Sequence, residues 1–286
     1  GTGGLSQIYG GVGYSPLEYL SIGANVSYLF GSITHSRNIP IIRQANDVLT
    51  RQVSNTFSIR DMKLDSGAQF TYPININESI TLGVVYSPKK SMKSDIYPVD
   101  QLISQTTQSP VKTDTLYNQS FGLPETFGMG IGYKSNNLVV GVDGTFQRWG
   151  RTEYPQYLDS MTVDTRFNDR YGVNLGVEYV ADPVHRNFFK RMRFRGGLSY
   201  SNSYMNTKVY DPITESSLGT HGYKEYGVNI GFGLPFRDMI SQKISMVNLG
   251  FGYSLMQPDQ KYMIKEEMFK VSINLFVNPS RNCKGP

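Results

Sequence analysis

The side chains able to do chemistry are few and scattered. His35, His185 and His221 are the three histidines of the chain, and they lie far apart on or beside polar segments, a spacing that builds neither a metal cluster nor a nucleophile with its base. Cys283 is the single cysteine, which excludes an intrachain disulfide and a cysteine-based zinc site. Gly128, Gly130 and Gly132 have a nucleotide-loop look, but no helix-forming segment follows them and their alternation continues as a strand. The adjacent Glu266 and Glu267 would fall on opposite faces of a strand, so they do not make a carboxylate pair. No catalytic residue, metal or cofactor is implied, and the chain reads as a non-enzyme. The densest cluster is electrostatic: Arg191, Arg193 and Arg195 share one parity while Met192 and Phe194 take the other. Three guanidinium groups on one face would either attract the carboxylate of a substrate or pair with Glu178 on the preceding strand. The pairing is the expected role.

The elements that must carry such a ladder are strands with two unlike faces. Eight stretches place an apolar or aromatic residue at every second position, most clearly Leu20, Ile22, Ala24, Val26, Tyr28 and Phe30, with Ser21, Gly23, Asn25 and Ser27 between them. Small polar residues on the second face suit a watery lumen rather than a sandwich core, and repetition of the pattern predicts an all-β, antiparallel transmembrane barrel. No run of about eighteen apolar residues could form a spanning helix, whereas a barrel strand needs only about nine to eleven residues, half of them polar. The 286 residues read as one domain, with glycine (29) and tyrosine (20) placed inside the alternating segments. The net charge of +5 is spread over loops and strand ends without a basic helix or an aromatic RNA motif. That argues against nucleic acid and for ordinary solubility or contact with anionic lipid head groups, and the partners expected of such a barrel are membrane lipid and lipopolysaccharide.

Alternation and turn chemistry place eleven strands, at 5–14, 19–34, 55–72, 79–88, 122–134, 137–149, 166–180, 191–206, 223–236, 243–256 and 262–277. Short turns alternate with long polar connections at 35–54, 89–121, 150–165 and 207–222, as periplasmic turns alternate with outer loops. Tyr14, Tyr72, Tyr133 and Tyr179 end descending strands on the apolar parity and are expected to form a membrane girdle, with Phe146 and Trp149 in the opposite one. The turn from Asp182 to Phe189 is long and carries two adjacent phenylalanines, as an amphipathic turn would. With eleven strands the first and last both descend, so an even-stranded barrel needs an odd number of strands before Gly1. Residues 1–278 are read as the barrel and 279–286 as a tail.

Leu123, Pro124, Gly128, Gly132 and Tyr133, followed by Asp143 and Trp149, resemble a block found in FadL-type outer-membrane transport proteins, and the opening Gly1 to Phe30 is similar to that family as well. The resemblance implies a fourteen-stranded barrel in the outer membrane of a Gram-negative bacterium, eleven of whose strands are visible. It implies an N-terminal hatch and a kinked early strand that would precede Gly1. The end of the chain departs from the pattern, since Val277 is followed by Asn278, Pro279 and Ser280 rather than by a terminal aromatic. The family's function would be passive uptake of small hydrophobic molecules such as long-chain fatty acids or hydrocarbons. The alternative is a non-transporting barrel, a structural or shuttle subunit of an outer-membrane complex, as in relatives that serve type IX secretion. In that case the connections at 35–54 and 89–121 would dock a protein partner.

Overall fold

The computed structural model describes residues 1–44, 47–103, 108–113, 116–152, 166–237 and 244–276. Eleven antiparallel strands follow one another through the main sheet: β1 (Thr2–Leu17), β2 (Leu20–Gln44), β3 (Asp47–Asn75), β4 (Glu78–Ser87), β8 (Glu125–Lys134), β9 (Leu138–Arg148), β11 (Arg170–Val180), β12 (Arg193–Asn202), β15 (Tyr223–Arg237), β16 (Ile244–Pro258) and β17 (Glu266–Phe276). Each corresponds to one of the eleven strands expected from alternation. The fold is an antiparallel β-barrel wall, and its faces are as unlike as the sequence demands. Ile22, Val26, Met62, Leu64, Leu82, Val84, Met129, Val173 and Leu175 stand exposed on the outer face. Glycine, serine, asparagine and charged residues occupy the alternate positions.

Three of the four long upper connections, at 35–54, 89–121 and 207–222, carry paired strands among their described residues. β2 and β3 pair without interruption from Leu20 and Phe70 up to Ile42 and Val48. The 29 residues of β3 are far more than the roughly nine to eleven a membrane requires. The segment expected to be a polar loop at 89–121 contains β5 (Lys90–Ile103), β6 (Gln108–Thr113) and β7 (Leu116–Leu123), with β5 pairing β3, β6 and β7. Between β12 and β15, β13 (Met205–Tyr210) and β14 (Ser217–His221) form a hairpin, and β10 (Arg166–Phe167) pairs with β13 rather than with the wall. The expected strand at 166–180 therefore splits, and the wall resumes only at Arg170. Polar composition was the misleading signal: an antiparallel strand needs only one apolar face, and polar residues can fill the alternate positions. Most of 150–165 and the tail at 279–286, with Cys283, lie outside the described residues.

Apolar packing is concentrated in this upper annex. Ile59, Met92 and Ile96 are each 2% exposed or less, and Val53 and Phe57 are also buried. These residues sit on the odd parity of β3 and on the facing positions of β5, with Phe57 opposite Ile96 and Ile59 opposite Ser94. Lower on the same strand the apolar residues are even: Met62, Leu64, Phe70 and Tyr72. The β2–β3 register does not slip between these segments, so the apolar side changes from outward to inward within one uninterrupted strand. Lipid solvates the outer face below the inversion, and above it water replaces lipid and the apolar side must turn in.

Candidate functional site

On the inner face, Glu178 lies opposite Arg195 across the β11–β12 ladder. Arg195 Nε donates to Glu178 Oε2 at 2.6 Å and Arg193 Nη1 donates to Oε1 at 2.6 Å. Arg195 Nη1 also donates to Asn248 Oδ1 at 2.7 Å, which links β11, β12 and β16. Phe194, between the two arginines, points outward and is exposed. Arg191 does not join them. It ends a helical turn, Phe188–Arg191, capped by Asn187, whose Oδ1 accepts from Phe189 N at 3.0 Å. The wall strand begins only at Arg193, so the expected three-rung ladder has two rungs. Val184 and Phe189 of that turn are strongly exposed at the lower end, as an amphipathic turn at a membrane surface would be.

Further polar links run along the same face. Asn174 Nδ2 donates to Asp143 Oδ2 at 2.8 Å, Gln7 Nε2 to Ser27 Oγ at 2.7 Å, and Lys63 pairs with Asp65 at 2.7 Å, while Ser87 Oγ donates to Asp65 Oδ1. Near the upper end, Ser201 Oγ donates to Glu225 Oε2 at 3.0 Å and accepts from Arg170 at 3.3 Å, beside a hollow of about 360 Å³ that Thr145, Gln147 and Asn174 also line. Gly132, Gly141, Gly176 and Gly197 follow one another across β8, β9, β11 and β12 on this face. Gly128 is on it too, one strand from Val85.

The other motif residues divide between the two faces and the upper rim. Leu123 ends β7, Pro124 separates it from β8, and the following Glu125 faces outward, accepting from Tyr86 Oη at 2.9 Å and from Arg148 Nη1 at 2.9 Å. Arg148 lies over the rings of Phe127 (5.5 Å) and Phe146 (6.0 Å). Tyr86, Phe127, Phe146 and Tyr171 are successive cross-strand partners on the outer face, and Tyr200 and Tyr226 continue the row at 6.0 and 5.2 Å between ring centroids. Phe146 thus belongs to an upper aromatic row of six strands, most of which cross-strand register alone reveals. Trp149 does not. It leaves the wall in the 3₁₀ turn Trp149–Arg151 and stacks on Tyr204 at 4.3 Å. At the lower end, Tyr14, Tyr72, Tyr133 and Tyr179 stand on the outer face near the ends of their strands, with Tyr72 and Tyr133 flanking Ile80 on one row. The three histidines stay apart: His35 meets the Phe57 ring, His185 Nδ1 accepts from Asn187 N, and His221 contacts the Leu218 carbonyl. Among the described residues no three His, Cys, Asp or Glu converge as metal ligands.

A family model described as BamG matches residues 1–280. The chain belongs to the BamG family. No curated protein matches its sequence. Among solved structures, a FadL homologue of Pseudomonas aeruginosa shares its fold with a TM-score of 0.53 at 15% identity, over 89% of this chain and 60% of that one. The CymD monoaromatic hydrocarbon channel does so with a TM-score of 0.54 at 14% identity, over 94% of this chain and 72% of that one. The fold of this BamG-family chain is therefore a FadL-like β-barrel, and the chain spans about 60% of the length of the first of those neighbours.

Proposed function

We propose that this BamG-family chain is a non-transporting barrel, a subunit of an outer-membrane protein complex that works in the assembly of other barrels. Its upper annex would serve as the platform for a protein partner. The observation that carries this reading is the annex itself: the segments beyond the membrane form paired strands around a buried apolar face, which is a built surface rather than a set of connections. The family's name points the same way. The inner wall fits it, because a channel for hydrophobic molecules wants a largely apolar path with few polar anchors. The described inner positions instead carry ion pairs such as Glu178 with Arg193 and Arg195. On this reading those arginines brace the wall and do not greet a substrate carboxylate, and Tyr14, Tyr72, Tyr133 and Tyr179 seat the barrel in the bilayer.

The FadL-like fold keeps the hydrophobic-molecule channel as the competing function. Purification of the full-length protein from its own outer membrane in a mild detergent separates the two. A stoichiometric outer-membrane partner, lost when the annex core is disrupted by Ile96→Asp, is the expected result. A protein that purifies alone, carries fatty acid or hydrocarbon, and restores uptake of such molecules to cells would overturn the subunit reading.

A further inference from the structure

Where the apolar side of β3 inverts, two cations face outward. Ile59 and Ser94 are cross-strand partners, both buried on the inner side. The next positions, Arg60 on β3 and Lys93 on β5, therefore alternate to the outer side, and both are exposed. Among the described residues neither side chain has an ion-pair or hydrogen-bond partner, and Asp95, further out on the same face, leaves the patch with a net positive charge. Like charges on neighbouring strands repel and destabilise the ladder, so their placement calls for an anion.

The outer surface around them is layered. Below Arg60, toward the membrane, the same face of β2 and β3 presents Val26, Tyr28, Met62 and Leu64, all exposed, with the Tyr28 and Phe30 rings stacked at 5.7 Å. Phe30 is the direct cross-strand partner of Arg60. Above it come hydroxyls: Ser32 opposite Ser58, and Thr34 opposite Thr56 with their Oγ1 atoms 2.8 Å apart. Apolar surface, two free cations and a hydroxyl ladder follow one another within a few residues along two strands. We propose that this face binds a phosphorylated, acylated saccharide of the outer leaflet. Its acyl chains lie on Val26, Tyr28, Met62 and Leu64, its phosphate rests between Arg60 and Lys93, and its sugar faces Ser58 and Thr56. Phosphate is the group a guanidinium and an ammonium bind best together, and the switch from apolar to hydroxylated surface sets the level in the bilayer at which it must sit.

The test uses full-length protein in nanodiscs, with purified bis-phosphorylated lipid A as the probe and dephosphorylated lipid A, phosphatidylglycerol and inorganic phosphate as comparisons. Binding is read by titration and by native mass spectrometry. The wild type is expected to hold the phosphorylated form about tenfold more tightly than the dephosphorylated one, as loss of charge-assisted contacts implies. Arg60→Gln with Lys93→Gln should erase that difference, while Arg60→Lys with Lys93→Arg keeps it and Lys134→Gln, at the lower end, leaves it unchanged. Equal binding of the two lipid forms by the wild type overturns the proposal without any variant. So does a double glutamine variant that still discriminates, or a phosphatidylglycerol affinity equal to that for phosphorylated lipid A. Competition by inorganic phosphate alone at matching concentration would show a bare anion site and also overturn it.

Discussion

Glu178 and Arg195 face each other across the β11–β12 ladder, with Arg195 Nε 2.6 Å from Glu178 Oε2, and the same carboxylate takes Arg193 on its other oxygen. One acid thus holds two guanidinium groups on the inner wall, and Asn248 takes a further donor of Arg195. The side chains are 25% exposed for Glu178 and 37% for Arg195, so water screens the pair and its worth is nearer about 1 kcal/mol than the 3 to 5 of a fully buried one. Glu178→Gln should lower the temperature at which the folded band is lost on a gel by a few degrees. A double-mutant cycle with Arg195→Gln should give a coupling of about 1 kcal/mol. A coupling near zero would remove the bracing role.

The two faces of one strand can be tested by neighbours. Gly83 points inward into open space and Val84 is exposed on the outer face. Gly83→Ser should insert and fold as the native protein does. Val84→Arg should cost about 2 to 4 kcal/mol if it lies near the bilayer midplane, and its folded fraction in lipid vesicles should drop accordingly. Equal tolerance at both positions would contradict the assignment of faces.

In the annex, Arg51 and Asp100 form an ion pair at 2.5 Å between β3 and β5. The hydrogen bond from Arg51 holds the Asp100 carboxyl below its ordinary range. A depressed carboxylate contributes stability above its unfolded value, near about 4, and loses it as pH falls through the lower folded value. Pepsin cleavage within 47–103 should therefore accelerate as pH is lowered from about 4.5 to about 2.5. Asp100→Asn should be cut faster at the upper end of that range and should show a flatter dependence on pH. Identical profiles would dismiss the pair as a clasp.

Trp149 is the single tryptophan of the chain, and its ring stacks on Tyr204 with Phe167 6.0 Å away. Fluorescence of the whole protein thus reports one spot, where the end of β9 meets the segment after β12. Tyr204→Ala should shift the emission to longer wavelength, raise quenching by iodide and cost about 0.5 to 1.5 kcal/mol. An unchanged spectrum would place Trp149 elsewhere.

A buried isoleucine carries the annex. Ile59→Ala should cost about 2 to 5 kcal/mol of local stability, seen as faster hydrogen exchange in β3 above residue 59 and in β5. Exchange in β11 and β12 should stay as it was. Uniform loss across the chain would mean that annex and wall do not behave as separate cores.

The sequence by itself determined the wall. Period-two alternation is a local property of backbone geometry, so Leu20 to Phe30 or Tyr171 to Tyr179 declare an outer and an inner face with no partner in view. Turn residues then order the strands. The tertiary structure decided what alternation cannot express. A strand reads the same whichever face is apolar, so the inversion between Ile59 and Met62 emerged only from an unbroken register. For the same reason β5, β6 and β7 hid in a segment that composition marked as loop. Register also decided which charged residues meet: Arg193 and Arg195 reach one carboxylate because β11 and β12 set them opposite it, while Arg191, which shares their parity in the sequence, ends in a helical turn.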